Sequence, residues 1–290
     1  MKNRNYFLIF IFACCSGVVC TAEGQNKNRH YIKNRIMTTE DGNSFREKVL
    51  YYDIFGKHTE TVQVGASPQG KDLHFTFGYD ILDRPVSESL PLPDGNRNYY
   101  GDAYYYSGCV YGNSSLNRIR ESYGPGAAWR DNGKSIKTEY LVNADSGDLS
   151  CAEFRAEDNG EDVRLIRSGL YAAGELSVVR TTDEDGKVVY TFTDFEGKLL
   201  LTRRMNGTEP HDTYIVYDDR GRKRIVLPPL AADELTATAS WGCNSSEVIK
   251  KYGYVYRYDG RDRVIEKKLP GCDPVHFVYD RSDRLILKQN

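Results

Sequence analysis

The sequence predicts an all-β fold of stacked antiparallel β-hairpins with very little helix. The leading observation is a short phrase that recurs along the chain: an alternating aromatic run, a Tyr-Asp pair, a tight turn and a basic residue. The alternation before each Asp, clearest at residues 254–258, is typical of a strand, and Tyr, Val and Phe suit a pleated surface. Because a single hairpin is marginal in water, we expect neighbouring hairpins to stack.

Five clear copies of the phrase define the expected turns. In each copy the third residue after the Asp is Gly or Asp, which tolerate the left-handed conformation that tight turns often need, and the next residue is basic. The turn residues selected on this basis are Asp53, Gly56, Asp80, Arg84, Asp218, Gly221, Arg222, Asp259, Arg263, Asp280 and Arg284. A weaker sixth copy contains Asp194, Gly197 and Lys198.

A structural role is favoured for these Asp and Arg residues over a catalytic or ligand-binding role. The Asp side chain is needed to bond the backbone two residues further on. An exposed Asp–Arg pair usually contributes less than about 1 kcal/mol. Asp-to-Arg pairs between neighbouring hairpins are compatible with the pattern.

Residues 1–22 have the pattern of a secretion signal. Lys2 and Arg4 form a positive segment, an apolar core follows, and small residues end at Ala22. We therefore expect export through the Sec pathway to the periplasm, the outer surface or the medium. The alternative is a lipidated Cys14, which would tether the protein to a membrane.

After the signal, residues 23–33 are polar and are expected to form a flexible leader. Strands are expected again over residues 135–204, separated by hairpin turns that contain Asp-Gly or Asn-Gly, or acidic residues and Gly as at residues 183–186. Helix is expected only in two short spacers, residues 229–236 and residues 246–252.

Residues 91–126 are rich in Tyr, Gly, Asn and Ser and show little periodicity, so they predict long ordered loops with short strands. A cluster of tyrosines in this stretch has two interpretations. One is a sugar-stacking platform, with Tyr104 and Tyr105 as the candidate glycan-stacking residues. The favoured interpretation is that the rings pack over a hairpin.

Three of the seven cysteines lie in the signal, which leaves Cys109, Cys151, Cys243 and Cys272. Four cysteines in an exported protein allow three disulfide connectivities. A disulfide between Cys243 and Cys272 is favoured because the two residues flank one strand-rich unit. A zinc site is less favoured because no Cys-x-x-Cys spacing occurs.

The sequence contains no nucleophile elbow, no His-Glu-x-x-His pair, no phosphate-binding Gly loop and no dinucleotide fingerprint. None of its acidic turns matches the twelve-residue calcium loop. We therefore expect no enzyme activity, no cofactor and no metal site. The net charge of −2 gives no general attraction to nucleic acid.

The copies YVYRYDGRDRVIEKKLPG and HFVYDRSDRLILKQN resemble the YD-repeat, or Rhs, family of bacterial secreted and surface proteins. Residues 34–205 are similar to the uncharacterised domain that precedes the repeats in Rhs proteins of the Bacteroides type, through phrases such as YGDAYYYS, SLNRIRESYGPGAAW and GLYAAGELSV. The resemblance implies a β-rich domain over residues 34–205 and a YD/Rhs repeat region over residues 206–290. It also implies that the hairpins form part of a curved β-shell, which in long family members encloses a C-terminal toxin.

The expected function is a non-enzymatic secreted or cell-surface scaffold and interaction module, the front part of such a shell, with no toxin module visible in the sequence. The last strand, at residues 285–287, is expected to leave an exposed sheet edge that binds a protein partner or a second copy. The alternative is an envelope protein that binds a cell-surface glycan through its tyrosine cluster. No nucleic-acid partner is expected, and a membrane is a partner only if Cys14 is lipidated.

Overall fold

The structure, a computed structural model, describes residues 18–21, 29–40, 44–160 and 162–289. Antiparallel strands dominate these residues, and their helices are few and short, so the prediction of an all-β fold with very little helix is confirmed. The chain divides into two compact units, residues 1–133 and residues 134–290. The predicted domain boundary at 205/206 lies inside the second unit, within the strand Leu199–Asn206, which pairs with the next strand, Glu209–Tyr217.

Most of the predicted signal, including Lys2, Arg4, Cys14 and Ala22, lies outside the described residues, so export and lipidation stay predictions. Residues 18–21 of that segment form a strand. The next strand begins at His30, within the stretch predicted to be a flexible leader, because its first residues pair with the end of a neighbouring strand, as His30 does with Tyr52.

Unit 1 is an antiparallel meander. Its elements are β1 (Val18–Thr21), β2 (His30–Met37), β3 (Phe45–Tyr52), β4 (His58–Gln63), β5 (Leu73–Tyr79), β6 (Pro85–Ser89), β7 (Leu92–Pro93), β8 (Tyr106–Tyr111), β9 (Ile119–Tyr123) and α1 (Ala127–Asp131). The strands pair in the order β1-β2-β3-β4-β5-β6-β8-β9, and β7 pairs with the start of β5. Among the described residues of this unit, the buried apolar side chains are Val49, Val62 and Leu92.

Unit 2 contains a long sheet and a small one. Its elements are β10 (Ile136–Val142), a 3-10 turn (Gly147–Leu149), β11 (Ala152–Asn159), β12 (Asp162–Leu170), β13 (Ser177–Thr182), β14 (Val188–Thr193), β15 (Leu199–Asn206), β16 (Glu209–Tyr217), β17 (Lys223–Leu227), α2 (Pro229–Glu234), β18 (Ser240–Gly242), α3 (Glu247–Tyr252), β19 (Tyr254–Tyr258), β20 (Val264–Lys268), β21 (Val275–Tyr279) and β22 (Leu285–Gln289). The long sheet runs β10-β13-β14-β15-β16-β17-β19-β20-β21-β22, all antiparallel. The small sheet is β11-β12-β18.

The core of unit 2 lies between these two sheets. Alternate residues of the long sheet point inward, such as Phe192 and Val216, and they meet Leu165 from the small sheet in one buried cluster. Phe154 of β11 contacts Tyr214 of β16 edge to face, with ring centroids 4.9 Å apart. Burying a large apolar side chain contributes about 1.5–3 kcal/mol, so this cluster is the main source of stability in unit 2.

The two predicted helical spacers are present as α2 and α3, and both add apolar residues to this core, for example Ile249. Ser246 caps α3 by accepting a 3.4 Å hydrogen bond from the Ile249 backbone N–H. The small sheet was not predicted, because nothing local marks its partnership with β18, which is far away in sequence.

Candidate interaction site: two rows of turns

Each Tyr-Asp phrase folds into the same hydrogen-bonded turn between two strands. In the turn that starts at Asp259, the backbone N–H of Asp259 donates to the Arg263 carbonyl and the backbone N–H of Asp262 donates to the Asp259 carbonyl, at 2.9 Å and 3.2 Å. The Oδ1 atom of Asp259 accepts from the backbone N–H groups of Arg261 and Arg263, at 2.8 Å and 3.0 Å. The Asp is therefore the centre of its own turn, as its recurrence in the sequence suggested.

The fourth position of every turn has a left-handed backbone, which explains why only Gly or Asp is found there. The φ angles are +82° at Gly56, +64° at Asp83, +83° at Gly197, +75° at Gly221, +61° at Asp262 and +62° at Asp283. Most side chains are strained in this region, whereas Gly is not and Asp tolerates it.

The hairpin turn predicted at residues 183–186 is a seventh turn of the same kind, although its sequence was not recognised as a copy of the phrase. Asp183 makes the same backbone bonds with Lys187 and Gly186, and its Oδ1 accepts from the backbone N–H groups of Asp185 and Lys187. Threonine precedes both Asp183 and Asp194, but the strand that leads to Asp183, Ser177–Thr182, contains no aromatic residue, so this copy was not recognised. The signal that could have found it is the Asp-x-x-Gly-Lys spacing alone.

Turns on the same edge of a sheet lie side by side and form a row. The unit 1 row contains the turns at residues 53–57, 80–84 and 112–118. The unit 2 row contains the turns at residues 194–198, 218–222, 259–263 and 280–284. The Asp183 turn is at the opposite edge of the long sheet, because alternate turns of an antiparallel meander fall on opposite edges.

Where the last turn residue is arginine, its guanidinium also binds the Asp of its own turn. The Nε atoms of Arg84, Arg222, Arg263 and Arg284 donate to the Oδ2 atoms of Asp80, Asp218, Asp259 and Asp280 at 2.7–2.8 Å. The Arg263 hydrogen bond holds the pKa of Asp259 below its ordinary value. Burial raises the pKa of Asp218, but the hydrogen bonds from Arg222 lower it by more, so this pKa is also below its ordinary value.

A tyrosine hydroxyl links several of these turns to the turn before them in the row. The hydroxyl of Tyr279 donates to the carbonyl of Val264, which follows Arg263 of the preceding turn, at 3.0 Å. Tyr258 donates in the same way to Lys223 at 2.9 Å, and Tyr79 donates to His58 at 2.7 Å. The tyrosine of the repeat is therefore a connector between hairpins as well as a strand residue.

The basic residue of a turn completes the link by contacting the next turn. The Arg263 guanidinium lies 4.8 Å from the ring centroid of Tyr279 and donates to the carbonyl of Asp280 at 3.2 Å and to Oδ1 of Asp283 at 2.6 Å. Arg222 makes the equivalent contacts with the Asp259 turn. Lys57 pairs with Asp83 in unit 1.

Tyr111 performs the same role without the repeat phrase, and sequence reasoning missed it. Its hydroxyl donates to the Pro85 carbonyl at 3.0 Å, and the Arg84 guanidinium lies 4.4 Å from its ring centroid. Gly112 follows Tyr111 where the other copies have Asp. The missing Asp and the longer turn explain why the copy was not recognised.

A groove of about 570 Å³ in unit 2 lies beside its turn row and is lined by acidic and basic side chains, including Asp158, Asp218 and Asp259. These three carboxylates are bound by arginine. Arg224, only 1% exposed, pairs with both Asp158 and Asp218 and ties the small sheet to the long one. The groove therefore has the charges of an active site, but its central acids are already engaged in structural pairs.

The candidate glycan-stacking residues lie in unit 1 and are half-buried. The Arg130 guanidinium lies 5.0 Å from the Tyr104 ring centroid and 4.7 Å from that of Tyr106, and Tyr105 contacts Tyr106 edge to face. The rings thus pack around an arginine of the chain itself. Glycan binding stays a prediction.

Cys109, Cys151, Cys243 and Cys272 are free thiols. The favoured disulfide between Cys243 and Cys272 is therefore absent from the structure. Cys243 is enclosed in the core cluster of unit 2, whereas Cys272 is exposed in the turn after β20.

The described part of the chain has no cluster of three or more metal-ligating side chains. Its helices are at most six residues long, and none of them could span a membrane.

Comparisons with known proteins agree with this architecture. Residues 25–142 match the model of a family described as a domain of unknown function, DUF6443. A search of curated proteins finds no match. Among solved structures, a chain of a Tc holotoxin pore from Photorhabdus luminescens with mutated TccC3 is similar, with 12% identity, a TM-score of 0.55 and 89% of this chain covered.

Two further structures give a similar result. A chain in the crystal structure of TcdB2-TccC3-Cdc42 has 12% identity over 89% of this chain and a TM-score of 0.55, and one in the crystal structure of TcdB2-TccC3 has the same identity and coverage with a TM-score of 0.54. This chain covers 12% of the length of each of these three similar chains. At this identity the likeness concerns the fold alone: the fold of this chain is similar to that of a part of chains in Tc toxin structures.

Proposed function

We propose that this protein is a non-enzymatic, exported scaffold and interaction module of the Rhs type, in which rows of turns join hairpins into part of a β-shell. The observation that carries the proposal is the repeated link along each row: a tyrosine hydroxyl on the preceding turn's backbone, and a basic side chain on the next turn. In unit 2 the link runs from Arg222 to Tyr258 and from Arg263 to Tyr279.

The state of the charged groups supports a structural role. General acid–base catalysis needs a carboxylate or imidazole that can exchange a proton with a substrate. Asp218 and Asp259 instead accept two backbone N–H bonds each and an arginine. Protonating either one would remove the charge that its arginine pairs with.

The similar solved chains support the shell as the kind of scaffold. Their structures are those of a Tc holotoxin pore and of TcdB2-TccC3 assemblies. This chain covers 12% of the length of each of these chains, and we infer that it supplies a segment of such a wall.

Association is the first test. Size-exclusion chromatography with light scattering, over a concentration series of the chain alone and mixed with an Rhs-type chain from the same cell, is expected to show self-association or a complex. If the chain stays monomeric at every concentration and also does not bind such a partner, the interaction role is wrong.

Export is tested separately by cell fractionation and immunoblotting. The full chain is expected in the periplasm, on the outer surface or in the medium, and a control that lacks residues 1–22 is expected in the cytoplasm. Retention of the full chain in the cytoplasm would contradict the exported role without affecting the association result.

A further inference from the structure

The turns of the unit 1 row carry large apolar side chains at their tips, where they project into solvent. These side chains follow the turn Asp in the first two turns and lie near the end of the third. The exposed fractions of these apolar tips are 78% for Ile54, 81% for Phe55, 99% for Ile81, 64% for Leu82 and 63% for Leu116.

Contacts between the turns hold the apolar tips next to one another. Lys57, at the end of the first turn, pairs with Asp83 of the second. Arg84, at the end of the second turn, lies 4.4 Å from the ring centroid of Tyr111, which leads into the third. Neighbouring turns of the row are two strands apart, about 10 Å. The tips therefore form a line of apolar points, and a contiguous exposed apolar group of this kind usually marks an interaction site.

The unit 2 row has the same turns but mostly polar tips. Its turn at residues 194–198 has one apolar tip residue, Phe195, followed by Glu196. In its other three turns the corresponding residues are Asp219 and Arg220, Gly260 and Arg261, and Arg281 and Ser282. Since both rows share the left-handed fourth position, the turn geometry does not require apolar tips.

Polarity changes in steps along the direction in which the unit 1 turns project. Behind the apolar tips lie ion pairs, Arg84 with Asp80 and Lys57 with Asp83. Behind these pairs lie the tyrosine hydroxyls that link the turns, such as that of Tyr79. A bilayer surface has a matching order of an acyl boundary, charged headgroups and water, with tyrosine and basic side chains typically at the headgroup level.

The backbone of these turns is also prepared for an apolar environment. The N–H groups of Phe55 and Lys57 donate to Oδ1 of Asp53 at 2.8 Å and 2.9 Å, and the N–H of Gly56 donates to the Asp53 carbonyl at 3.1 Å. The Asp80 turn repeats these bonds. Because unbonded backbone donors are costly to move out of water, this internal bonding lowers the cost of inserting the tips.

We propose that the unit 1 turn row binds the surface of a lipid bilayer, with its apolar tips at the acyl boundary and Lys57 and Arg84 at the headgroup level. A protein groove deep enough to cover the tips would also enclose the ion pairs, which costs free energy unless every charge is matched. Headgroups and their water leave these pairs solvated. The contact is independent of the proposed scaffold function and does not require lipidation of Cys14.

Insertion by apolar tips differs from charge-driven binding in its dependence on lipid and salt. Acidic and basic side chains are nearly balanced in the first two turns, where Lys57 and Arg84 are paired with acids. We therefore expect binding to neutral phosphatidylcholine vesicles, and we expect added salt to leave it unchanged, because salt screens charges and not apolar contacts.

A tryptophan placed at one tip tests the insertion directly. Phe55→Trp is mixed with phosphatidylcholine vesicles, and the emission of the unsubstituted chain, which contains Trp129 and Trp241, is subtracted. We expect a blue shift, and quenching by brominated phosphatidylcholine. The matched control is Phe195→Trp, at the exposed tip in unit 2, for which we expect neither. Attachment of the chain through another segment does not produce this signal, because the signal reports the environment of the tip itself.

Substitution of the neighbouring tips tests whether they act together. In the Phe55→Trp chain, Ile81→Ser with Leu82→Ser is expected to raise the lipid concentration at half of the blue shift about tenfold or more, because two apolar side chains no longer leave water. Phe195→Ser in the same chain is expected to leave that concentration unchanged. All these side chains are exposed, so unchanged melting temperatures are expected to show that the variants fold.

No blue shift in Phe55→Trp, an equal shift in Phe195→Trp, or a shift that ignores Ile81→Ser with Leu82→Ser would overturn the bilayer contact. A protein partner gives a different result. If the chain associates with itself in light scattering, loses that association with Phe55→Ser and Ile81→Ser, and shows no shift with vesicles, the row is a protein contact and the bilayer assignment is wrong.

Discussion

The hydroxyl of Tyr279 donates a 3.0 Å hydrogen bond to the backbone carbonyl of Val264, the first residue after the preceding turn. This bond joins two hairpins whose turns are about twenty residues apart in sequence. It recurs at Tyr258 and Tyr79, and at Tyr111 outside the repeat phrase. The tyrosine–carbonyl bond is therefore a recurring link between neighbouring turns in both rows.

Removing one such hydroxyl should destabilise unit 2 measurably. Tyr258→Phe deletes the donor to the Lys223 carbonyl and is expected to cost about 0.5–1.5 kcal/mol in the free energy of unfolding. Tyr256→Phe is the matched control, because the Tyr256 hydroxyl has no hydrogen bond to a described residue while its ring is also beside lysines. Equal effects of the two substitutions in urea denaturation would contradict the linking role.

The left-handed fourth position of the turn should prefer glycine to alanine. Asp262→Gly removes an exposed carboxylate that pairs with Arg222 and Arg220 and is expected to cost less than about 1 kcal/mol. Asp262→Ala adds to this about 1–2 kcal/mol of backbone strain at φ +61°. At Asp219, which lacks a positive φ, alanine should be at least as stable as glycine. Thermal melting of the four variants measures which of glycine and alanine is more stable at each position. If the same residue is more stable at both positions, the backbone explanation is wrong.

The buried pair between Arg203 and Asp212 should be costly to break. Two parallel bonds of 2.8 Å and 2.6 Å join the side chains, which are 8% and 13% exposed. Asp212→Asn leaves the buried Arg203 guanidinium without a carboxylate partner, although it keeps its bonds to the Asp148 and Ser150 carbonyls, and is expected to cost about 3 kcal/mol. The control is Glu139→Gln at the exposed pair with Arg180, for which denaturation should show less than about 1 kcal/mol.

Acid should destabilise both units. In unit 1, burial raises the pKa of Glu47, but the hydrogen bonds from Lys33 and Arg35 lower it by more. In unit 2, burial raises the pKa of Asp218, and the hydrogen bonds from Arg222 again lower it by more. A carboxyl whose pKa is lower in the folded state adds stability that is complete above its ordinary pKa and is lost as the pH falls through the folded value.

The loss should therefore begin below the ordinary values of 4.5 for Glu and 3.8 for Asp. The loss of stability is measured by melting temperatures between about pH 7, where these carboxyls are charged, and about pH 2, where most carboxyls are protonated. A melting temperature that stays constant to the lowest pH would show that these carboxyls contribute nothing.

The cysteines should differ strongly in reactivity. Burial raises the pKa of the Cys151 and Cys243 thiols to about 12, so few thiolates form there, whereas Cys272 is exposed. Maleimide labelling of the folded chain, followed by peptide mass spectrometry, is expected to modify Cys272 first and Cys243 only after unfolding. Recovery of a peptide that joins Cys243 to Cys272 would contradict the free thiols.

Much of the local structure follows from residue types alone. Asp bonds its own turn and Gly or Asp accepts a left-handed backbone, so the turns at Asp53, Asp80, Asp218, Asp259 and Asp280 were predictable from spacing, as was the alternation of the strands that lead into them. The capping of α3 by Ser246 is equally local. These features involve residues within about four positions of each other, where sequence patterns report directly on geometry.

The contacts between turns depended on the tertiary structure. Strand register brings Tyr111 to Pro85, pairs Arg263 with Asp283, and encloses Arg224 between two sheets with Asp158. It also directs Cys243 inward and Cys272 outward. No short stretch of sequence predicts these contacts, because each results from the order in which distant strands pair. That order is decided by the burial of the whole sheet face.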